Sequence, residues 1–325
     1  MIVFAVKAAL FPVQFWLPAT YANAPAPVAA LFAIMTKVGA YAILRIHTTA
    51  FGPGIPGTED LAATWLFPAA IVTIALGAFG VLGARRLMPL IAFSVVGSMG
   101  TLLVAVAVFS QTATTAALYY TVHSTFAAAC LFLVADLVVT GRATDTLKPE
   151  RPAIQNGLFA ALFFAAAIAM AGMPPLSGFL GKLLVLDALR EPGVIGWAWS
   201  AILIGSLLTI VGFARAGSIL FWKSTATAGP AEETDVDPHT DQAAAAALPP
   251  PATAGQIAPA MVALAGLAAL AVFAGPVASY LERTSEQLFN RAGYVDAVLI
   301  PIEAESDGDG YGDGDLHGDH AEEEH

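Results

Sequence analysis

Long apolar runs, separated by short polar or proline- and glycine-rich segments, divide this chain from end to end. A helix needs about 20 mostly apolar residues to cross a bilayer, and runs of that order predict about eight transmembrane helices. No part of the chain alternates polar and apolar positions as a membrane β-barrel would, so the spans are predicted to be helical. The predicted spans are Met1–Trp16, which is incomplete, Val28–Ile46, Ala63–Leu82, Leu87–Phe109, Thr115–Thr140, Ala153–Met173 with a continuation over Leu176–Leu189, Gly196–Trp222 and Gln256–Leu281.

Two segments lack this apolar pattern. Ser224–Thr253 is rich in alanine, proline, threonine and acid, which is typical of a flexible extramembrane loop. Glu303–His325 combines glycine with acidic residues and histidine, and we expect a solvated, disordered tail. The tail does not fit a calcium-binding EF-hand loop, because counting from Asp307 puts Tyr311 and Gly318 where that loop needs oxygen ligands.

Composition identifies an integral membrane protein. The chain is 57% hydrophobic and only 12% charged, against about 25% charged residues in a soluble domain. The net charge of −11 comes mostly from the loop and the tail, and without a basic stripe nucleic acid is excluded as a partner. Cys130 is the one cysteine and is expected to be a packing residue. We expect no signal peptide, because the first apolar run has no basic segment before it.

The basic residues of the loops predict the orientation in the membrane. One side collects Arg85, Arg86, Arg142, Lys148, Arg151 and Lys223. The other side carries Arg45, Arg190, Arg283 and Arg291. Because cytoplasmic loops are enriched in lysine and arginine, the first side is predicted to be cytoplasmic and the acidic tail to face the opposite side.

Three lysines lie inside apolar runs, and these are Lys7, Lys37 and Lys182. A lysine at bilayer depth costs roughly 2.5–3.5 kcal/mol on insertion scales, so such residues generally belong to an ion or proton path. Lys7 has the alternative of reaching the interface from a helix end. Lys37 is far from both ends of its span, and its helix supplies no acidic partner.

Prolines interrupt two of the apolar runs. Pro12 follows Lys7 and is expected to break the first helix, freeing a carbonyl beside the lysine. Pro174 and Pro175 precede Lys182 and are expected to free the carbonyls of Met170 and Ala171. Discontinuous helices of this kind often form ion sites near mid-membrane, and a simple kink is the alternative.

His123 is the fourth polar candidate. Tyr119 and Tyr120 lie one turn before it and Ser124 directly after it, which makes all three possible relay neighbours. An imidazole passes protons near neutral pH, whereas a structural hydrogen bond between helices is the alternative role. Desolvation favours neutral lysine, so a row of buried lysines and a histidine can exchange protons through water. The sequence contains no catalytic triad, phosphate-binding loop or metal-ligand spacing, and no cofactor is expected.

Six motifs resemble one family of membrane subunits over Met1–Trp222. The motifs are Lys7-Ala-Ala-Leu-Phe-Pro12, Phe15-Trp-Leu-Pro18, Ala24-Pro-Ala-Pro-Val-Ala29, Thr36-Lys-Val-Gly-Ala-Tyr-Ala-Ile-Leu-Arg45, Val122-His-Ser-Thr125 and Pro174-Pro-Leu-Ser-Gly-Phe-Leu-Gly-Lys182. They resemble the proton-translocating subunits that respiratory complex I shares with Mrp/Pha-type multisubunit cation/proton antiporters, and most of all the D-type subunits of those antiporters.

The resemblance implies an all-α fold matching the C-terminal part of a subunit of about fourteen helices, built from inverted repeats. Residues 1–46 would end the first repeat and residues 47–222 would form the second. Residues 223–255 would be a loop, 256–281 the last helix and 282–325 the tail. Lys7 would be the broken-helix lysine of the first half, Lys37 the connecting lysine, His123 the relay histidine and Lys182 the terminal lysine.

Two departures from the family pattern follow from the same resemblance. The N-terminal helices are expected to be missing, together with a glutamate that pairs with the first lysine in the family, so we expect a truncated product or a fragment. Many relatives carry a further lysine five residues after the histidine, and here that position is Ala128. The relay would then depend on His123, Lys37 and water.

Three functions remain open from the sequence. The first is a non-enzymatic subunit of a hetero-oligomeric Na⁺/H⁺ or K⁺/H⁺ antiporter, with other membrane subunits as partners, in a bacterial inner membrane. The second is a proton-pumping membrane subunit of a complex I-like NADH–quinone oxidoreductase or membrane hydrogenase. The third is a scaffold that transports nothing.

Overall fold

The computed structural model describes residues 2–50, 61–191, 193–227 and 249–290, and those residues are organised as helices. The helices are α1 Ile2–Lys7, α2 Trp16–Asn23, α3 Ala26–Ala50, α4 Leu61–Gly83, α5 Leu87–Ala107, α6 Gln111–Arg142, α7 Asn156–Ala171, α8 Ser177–Ala188, α9 Ile195–Gly217, α10 Ser224–Thr227, α11 Ala254–Val272 and α12 Ala274–Phe289. The acidic tail and most of the predicted loop 224–253 lie outside the described residues.

Helix α6 is the axis of the fold. Its 32 residues make it about 48 Å long, and it packs against α3, α5, α7, α8, α11 and α12. Because it is apolar on most of its surface, it is buried by neighbours on several sides rather than along one stripe. Polar residues on α6 therefore face other helices, which is why His123 and Tyr120 are buried.

Helices α4 and α5 form the closest helix pair. A side chain at Gly77 would overlap the backbone of Gly97, and one at Gly100 would come within 2.6 Å of the Ile74 nitrogen. Glycines at these crossings let the two backbones approach, which is how membrane helices gain packing contacts. The pair holds the polar residues in the middle of α5 against the centre of the protein.

The prediction of an all-α membrane protein is confirmed. Six helices are long and apolar enough to cross a membrane, and the shorter apolar helix Asn156–Ala171 precedes a break. These six are Ala26–Thr49, Thr64–Gly83, Leu87–Ala107, Gln111–Arg142, Ile195–Lys223 and Ala254–Val272. The end of the span at Ile195–Lys223 is a π-helical segment, Ser218–Lys223.

Two predicted spans differ from the structure. The run Met1–Trp16 contains only α1, which ends at Lys7, and the next helix starts at Trp16. The run Gln256–Leu281 bends at Phe273, which ends α11 and precedes α12. Helix α12 is amphipathic and lies along the start of α6, where the Ser285 hydroxyl donates to the Gln111 carbonyl. Apolar length alone could not locate this bend, because both helices contribute apolar residues to the run.

The loops at one end of the bundle are connected to one another. Arg86 pairs with Asp145 at 2.7 Å, and the Leu147 nitrogen donates to the Arg85 carbonyl. Arg215 donates to the carbonyl of Ala84, just past the end of α4. We call this end the basic face, after Arg85, Arg86, Arg142, Lys148 and Arg151.

Candidate functional site

The second helix break lies between α7 and α8. Gly172 has φ +80°, a left-handed conformation that favours glycine. Its nitrogen and that of Met173 bond the carbonyls of Ile168 and Ala169, which closes the end of α7. The Ala171 carbonyl is left to a side chain, as expected where a helix ends inside a protein.

Lys182 occupies that position. Its Nζ donates to the Ala171 carbonyl at 2.7 Å and to the Ser206 hydroxyl at 2.7 Å. The Ser206 hydroxyl in turn donates to the Ile202 carbonyl at 2.6 Å. The lysine thus ties α8 to the end of α7 and to α9. Gly172 makes this possible, because a Cβ there would lie 2.6 Å from Lys182 Cδ.

A small cavity of about 20 Å³ adjoins Lys182, and we call it the Lys182 chamber. Its polar lining comes from α5, α6 and α9 and consists of Ser94, Ser98, Thr101, Tyr120, Ser206 and Thr209. Ser98 lies near the middle of the 21-residue helix α5, so the chamber is at mid-depth of the helical bundle. This is a polar site enclosed by apolar helices.

His123 connects α6 to the break from the other side. The residue is fully buried, and its Nδ1 lies 3.0 Å from the Ser177 hydroxyl, at the first residue of α8. A Cβ at Gly178 would overlap the Ala169 carbonyl and lie 3.0 Å from the imidazole Nε2, so only glycine fits between them. The histidine is therefore packed directly against the discontinuous helix.

The two tyrosines point to different helices. The Tyr120 hydroxyl lies 3.2 Å from the Ser98 hydroxyl, and its ring centre is 5.7 Å from that of His123. The Tyr119 hydroxyl donates to the Leu270 carbonyl of α11 at 2.9 Å. Ser124 is buried and donates to the Thr121 carbonyl of its own helix at 3.3 Å. Of the three proposed neighbours, only Tyr120 lines the Lys182 chamber.

Lys37 lies on α3 and is only 2% exposed. Within the part of the chain that the structure describes, its Nζ makes no hydrogen bond. An apolar cavity of about 170 Å³ between α3, α5 and α6 adjoins it. Both Lys37 and Lys182 are near enough to His123 to act on its charge electrostatically. The three groups therefore form one electrostatically connected row.

Lys7 is placed differently. It is exposed at the end of α1, and its carbonyl carbon would lie 2.9 Å from a Cβ on Gly39, two residues after Lys37. After Pro12 the chain continues into α2, and the Phe11 nitrogen before it donates to Thr73 of α4 at 3.0 Å. The backbone of the first break thus approaches Lys37, while the Lys7 side chain does not enter the buried row.

The buried row carries cations without carboxylates. Between residues 2–50, 61–191, 193–227 and 249–290, no acid lies within 4.0 Å of Lys37 or Lys182, and Asp187 pairs with Arg190 at an exposed site. The same described residues contain no group of three or more His, Cys, Asp or Glu side chains that could hold a metal ion. The arrangement suits the movement of a proton between neutral and cationic groups.

Three hydroxyl residues of the site were not predicted, namely Ser98, Ser177 and Ser206. Each supplies a hydrogen-bond partner to Tyr120, His123 or Lys182. Serine is frequent in membrane helices and commonly bonds its own backbone, so its residue type alone gives no signal. Only the assembled helices show which serines face the buried cations.

Comparisons with known proteins point to one family. Residues 1–209 match the family described as NADH:quinone oxidoreductase/Mrp antiporter, transmembrane. The chain is 31% identical to the D-type subunit of a probable K⁺/H⁺ antiporter of Rhizobium meliloti (strain 1021) and 30% identical to the D-type subunit of a Na⁺/H⁺ antiporter of Bacillus subtilis (strain 168), with 92% of this chain and 57% of each relative covered. The chain therefore spans little more than half the length of these relatives.

A solved structure has the same fold. The structure of the Mrp complex from Dietzia sp. DQ12-45-1b contains a chain that matches with a TM-score of 0.75 at 26% identity. The match covers 92% of this chain and 60% of that one.

Proposed function

The chain belongs to the NADH:quinone oxidoreductase/Mrp antiporter family, and we propose that it conducts protons as a membrane subunit of a multisubunit Na⁺/H⁺ or K⁺/H⁺ antiporter. The observation that carries the proposal is the acid-free row formed by Lys37, His123 and Lys182. A buried cation with no carboxylate partner stabilises the fold poorly, so its retention at mid-depth is explained best by proton transfer.

The proposed path runs laterally through the protein. Protons move between Lys37 and Lys182 by way of His123 and water, while Lys7 supplies a station at the edge of the row. Residues 1–46 serve as the end of a first repeat, 47–222 as the second, 223–255 as a loop, 256–281 as the last helix with its bend, and 282–325 as the tail. Other membrane subunits and lipid surround this unit, and Na⁺ or K⁺ is exchanged for the proton.

The proposed location is a bacterial inner membrane with the basic face in the cytoplasm, because short cytoplasmic loops concentrate lysine and arginine. The acidic tail would then be on the opposite side. This orientation makes the exposed arginines of the basic face available to the anionic lipids of the cytoplasmic leaflet.

A second candidate is a membrane subunit of an NADH–quinone oxidoreductase, and the name of the matched family favours it. Its proton path would use the same residues, but electron transfer in other subunits would drive it. Cation-driven proton movement in the absence of any electron donor separates the two candidates.

Proton movement in everted membrane vesicles containing the whole complex tests the proposal. We expect Lys37→Ala and Lys182→Ala each to reduce Na⁺- or K⁺-driven proton flux by at least tenfold, because each removes a proton carrier from the row. Lys148→Ala, at an exposed loop position, serves as the matched control and should retain flux. Wild-type flux in both buried-lysine variants, at normal assembly, contradicts the proposal.

A further inference from the structure

We propose that Ser206 is a positioning residue for Lys182, and that the Lys182 chamber holds one water molecule through which this lysine exchanges its proton. The inference rests on the proposed function and assigns a role to α9, whose residues the sequence did not single out. It concerns how the proton reaches and leaves the amine.

The hydrogen bonds of Lys182 leave one position of its nitrogen for proton exchange. A neutral lysine amine has two N–H donors and one lone pair, and the ammonium form has three donors. Two acceptors, the Ala171 carbonyl and the Ser206 hydroxyl, each lie 2.7 Å from Nζ. They satisfy both donors of the neutral amine, so the lone pair is the one site at which a proton can be added.

Ser206 is fixed as an acceptor. Its hydroxyl proton is directed to the Ile202 carbonyl at 2.6 Å, which leaves its lone pairs for Lys182. Helix α9 is held close to α4 at this level, because a Cβ on Gly205 would lie 2.6 Å from Ile74 Cγ2. The serine therefore aims the amine and does not itself need to move.

The chamber has the size and lining that a water molecule requires. About 20 Å³ is room for about one water, which also needs two to four polar partners. Tyr120, Ser98 and Thr101 supply hydroxyls on the side facing Lys182. In the proposed step the N–H bond of the ammonium breaks, the water gains that proton, and it passes a proton on to the next acceptor along the hydroxyls.

Titratable groups near Lys182 come from one neighbouring helix. Helix α6 presents His123 and Tyr120, and also Tyr119, which is bonded to α11. Helices α4, α5, α7 and α11 carry no charged residue over their described lengths. On α8 itself, Asp187 is paired with Arg190 at an exposed site. A change in pH dependence after mutation of Ser206 therefore reports on Lys182 and its link to His123.

Three variants of the whole complex test this role in everted vesicles. Loss of a hydrogen bond to a charged group is worth roughly a tenfold change or more, so Ser206→Ala should reduce flux about tenfold. The ammonium form loses more than the neutral form, so the alkaline limb of the pH–flux profile should move about one pH unit lower. Ser206→Thr keeps the hydroxyl and should stay within about twofold of wild type. Ser200→Ala, exposed on the same helix, is the control.

Each result separates this inference from the proposed function. Loss of flux in Lys182→Ala together with a Ser206→Ala profile that coincides with Ser200→Ala overturns the positioning role alone. Full flux in Lys182→Ala overturns the proposed function itself. A high-resolution structure of the wild-type complex provides an independent measurement. Solvent density within hydrogen-bond distance of both Lys182 Nζ and the Tyr120 hydroxyl supports the chamber water, and a chamber without such density overturns it.

Discussion

Tyr119 and Tyr120 are neighbours in sequence, but their hydroxyl groups lie in different parts of the protein. A helical step of about 100° separates them, so one faces α11 and the other faces α5. Tyr119 joins the apolar contact with Leu270 and Leu281. Tyr120 joins Ser98 and His123. At the scale of single residues, position around α6 decides between structure and proton transfer.

This difference predicts opposite outcomes for two matched substitutions. Tyr120→Phe should reduce proton flux several-fold and leave assembly unchanged, because it removes a hydroxyl from the Lys182 chamber. Tyr119→Phe should leave flux near wild type and lower stability by about 1 kcal/mol, since it removes one hydrogen bond between membrane helices. Flux in vesicles and thermal unfolding in detergent measure the two effects. The reverse assignment of effects would contradict the separation.

At the scale of elements, the break between α7 and α8 creates the acceptor that Lys182 uses. A continuous helix would bond the Ala171 carbonyl to its own backbone, and the lysine would have no partner there. Gly172 is required twice, by its φ of +80° and by its contact with Lys182. The break therefore forms the lysine site directly, because it determines where a free carbonyl faces the amine.

Substitution of this glycine should disrupt the site. Gly172→Ala adds a side chain in a left-handed conformation, at a cost of about 1–2 kcal/mol, and forces Lys182 away from the Ala171 carbonyl. We expect lower thermal stability and a loss of flux. Gly157→Ala, where nothing lies within 4 Å of the added Cβ, is the control in the same helix. Equal flux and stability in the two variants would show that the break tolerates a side chain at Gly172.

At the scale of the whole molecule, alternating helices bring the basic loops to one end and the second break to mid-depth. The Arg86–Asp145 pair and the bond from Arg215 to the Ala84 carbonyl connect the elements at the basic face. Helix α6 crosses from the other end to this face and carries His123 between α3 and α8. The position of the polar row thus depends on several helices together.

Single-cysteine labelling tests the orientation of the molecule. Cys130 is the one cysteine of the chain and is buried, so Cys130→Ala gives a background without a thiol. In that background, Arg151→Cys on the basic face should react with an impermeant reagent only from the cytoplasmic side. Glu191→Cys, exposed at the other end of the bundle, should react only from the opposite side. The opposite labelling pattern would show that the basic face is outside the cytoplasm.

Much of the fold followed from the sequence because spanning a bilayer imposes a strong local rule. Each span must satisfy its own backbone and be apolar over about 20 residues. That rule located α3, α4, α5, α6 and α9 and indicated the break at Pro174 and Pro175. It failed where one apolar run held two helices, at Phe273, and where a short helix followed Pro12.

The site was decided at a different level. The sequence by itself determined that the buried cations had to be accommodated, because a lysine in an apolar run is costly wherever the helix lies. Only the tertiary structure decided that Lys182 meets Ala171 and Ser206 and that Lys7 stays at the edge. These contacts join residues far apart in the chain, and hydrogen bonds depend on distance and direction that local sequence does not encode.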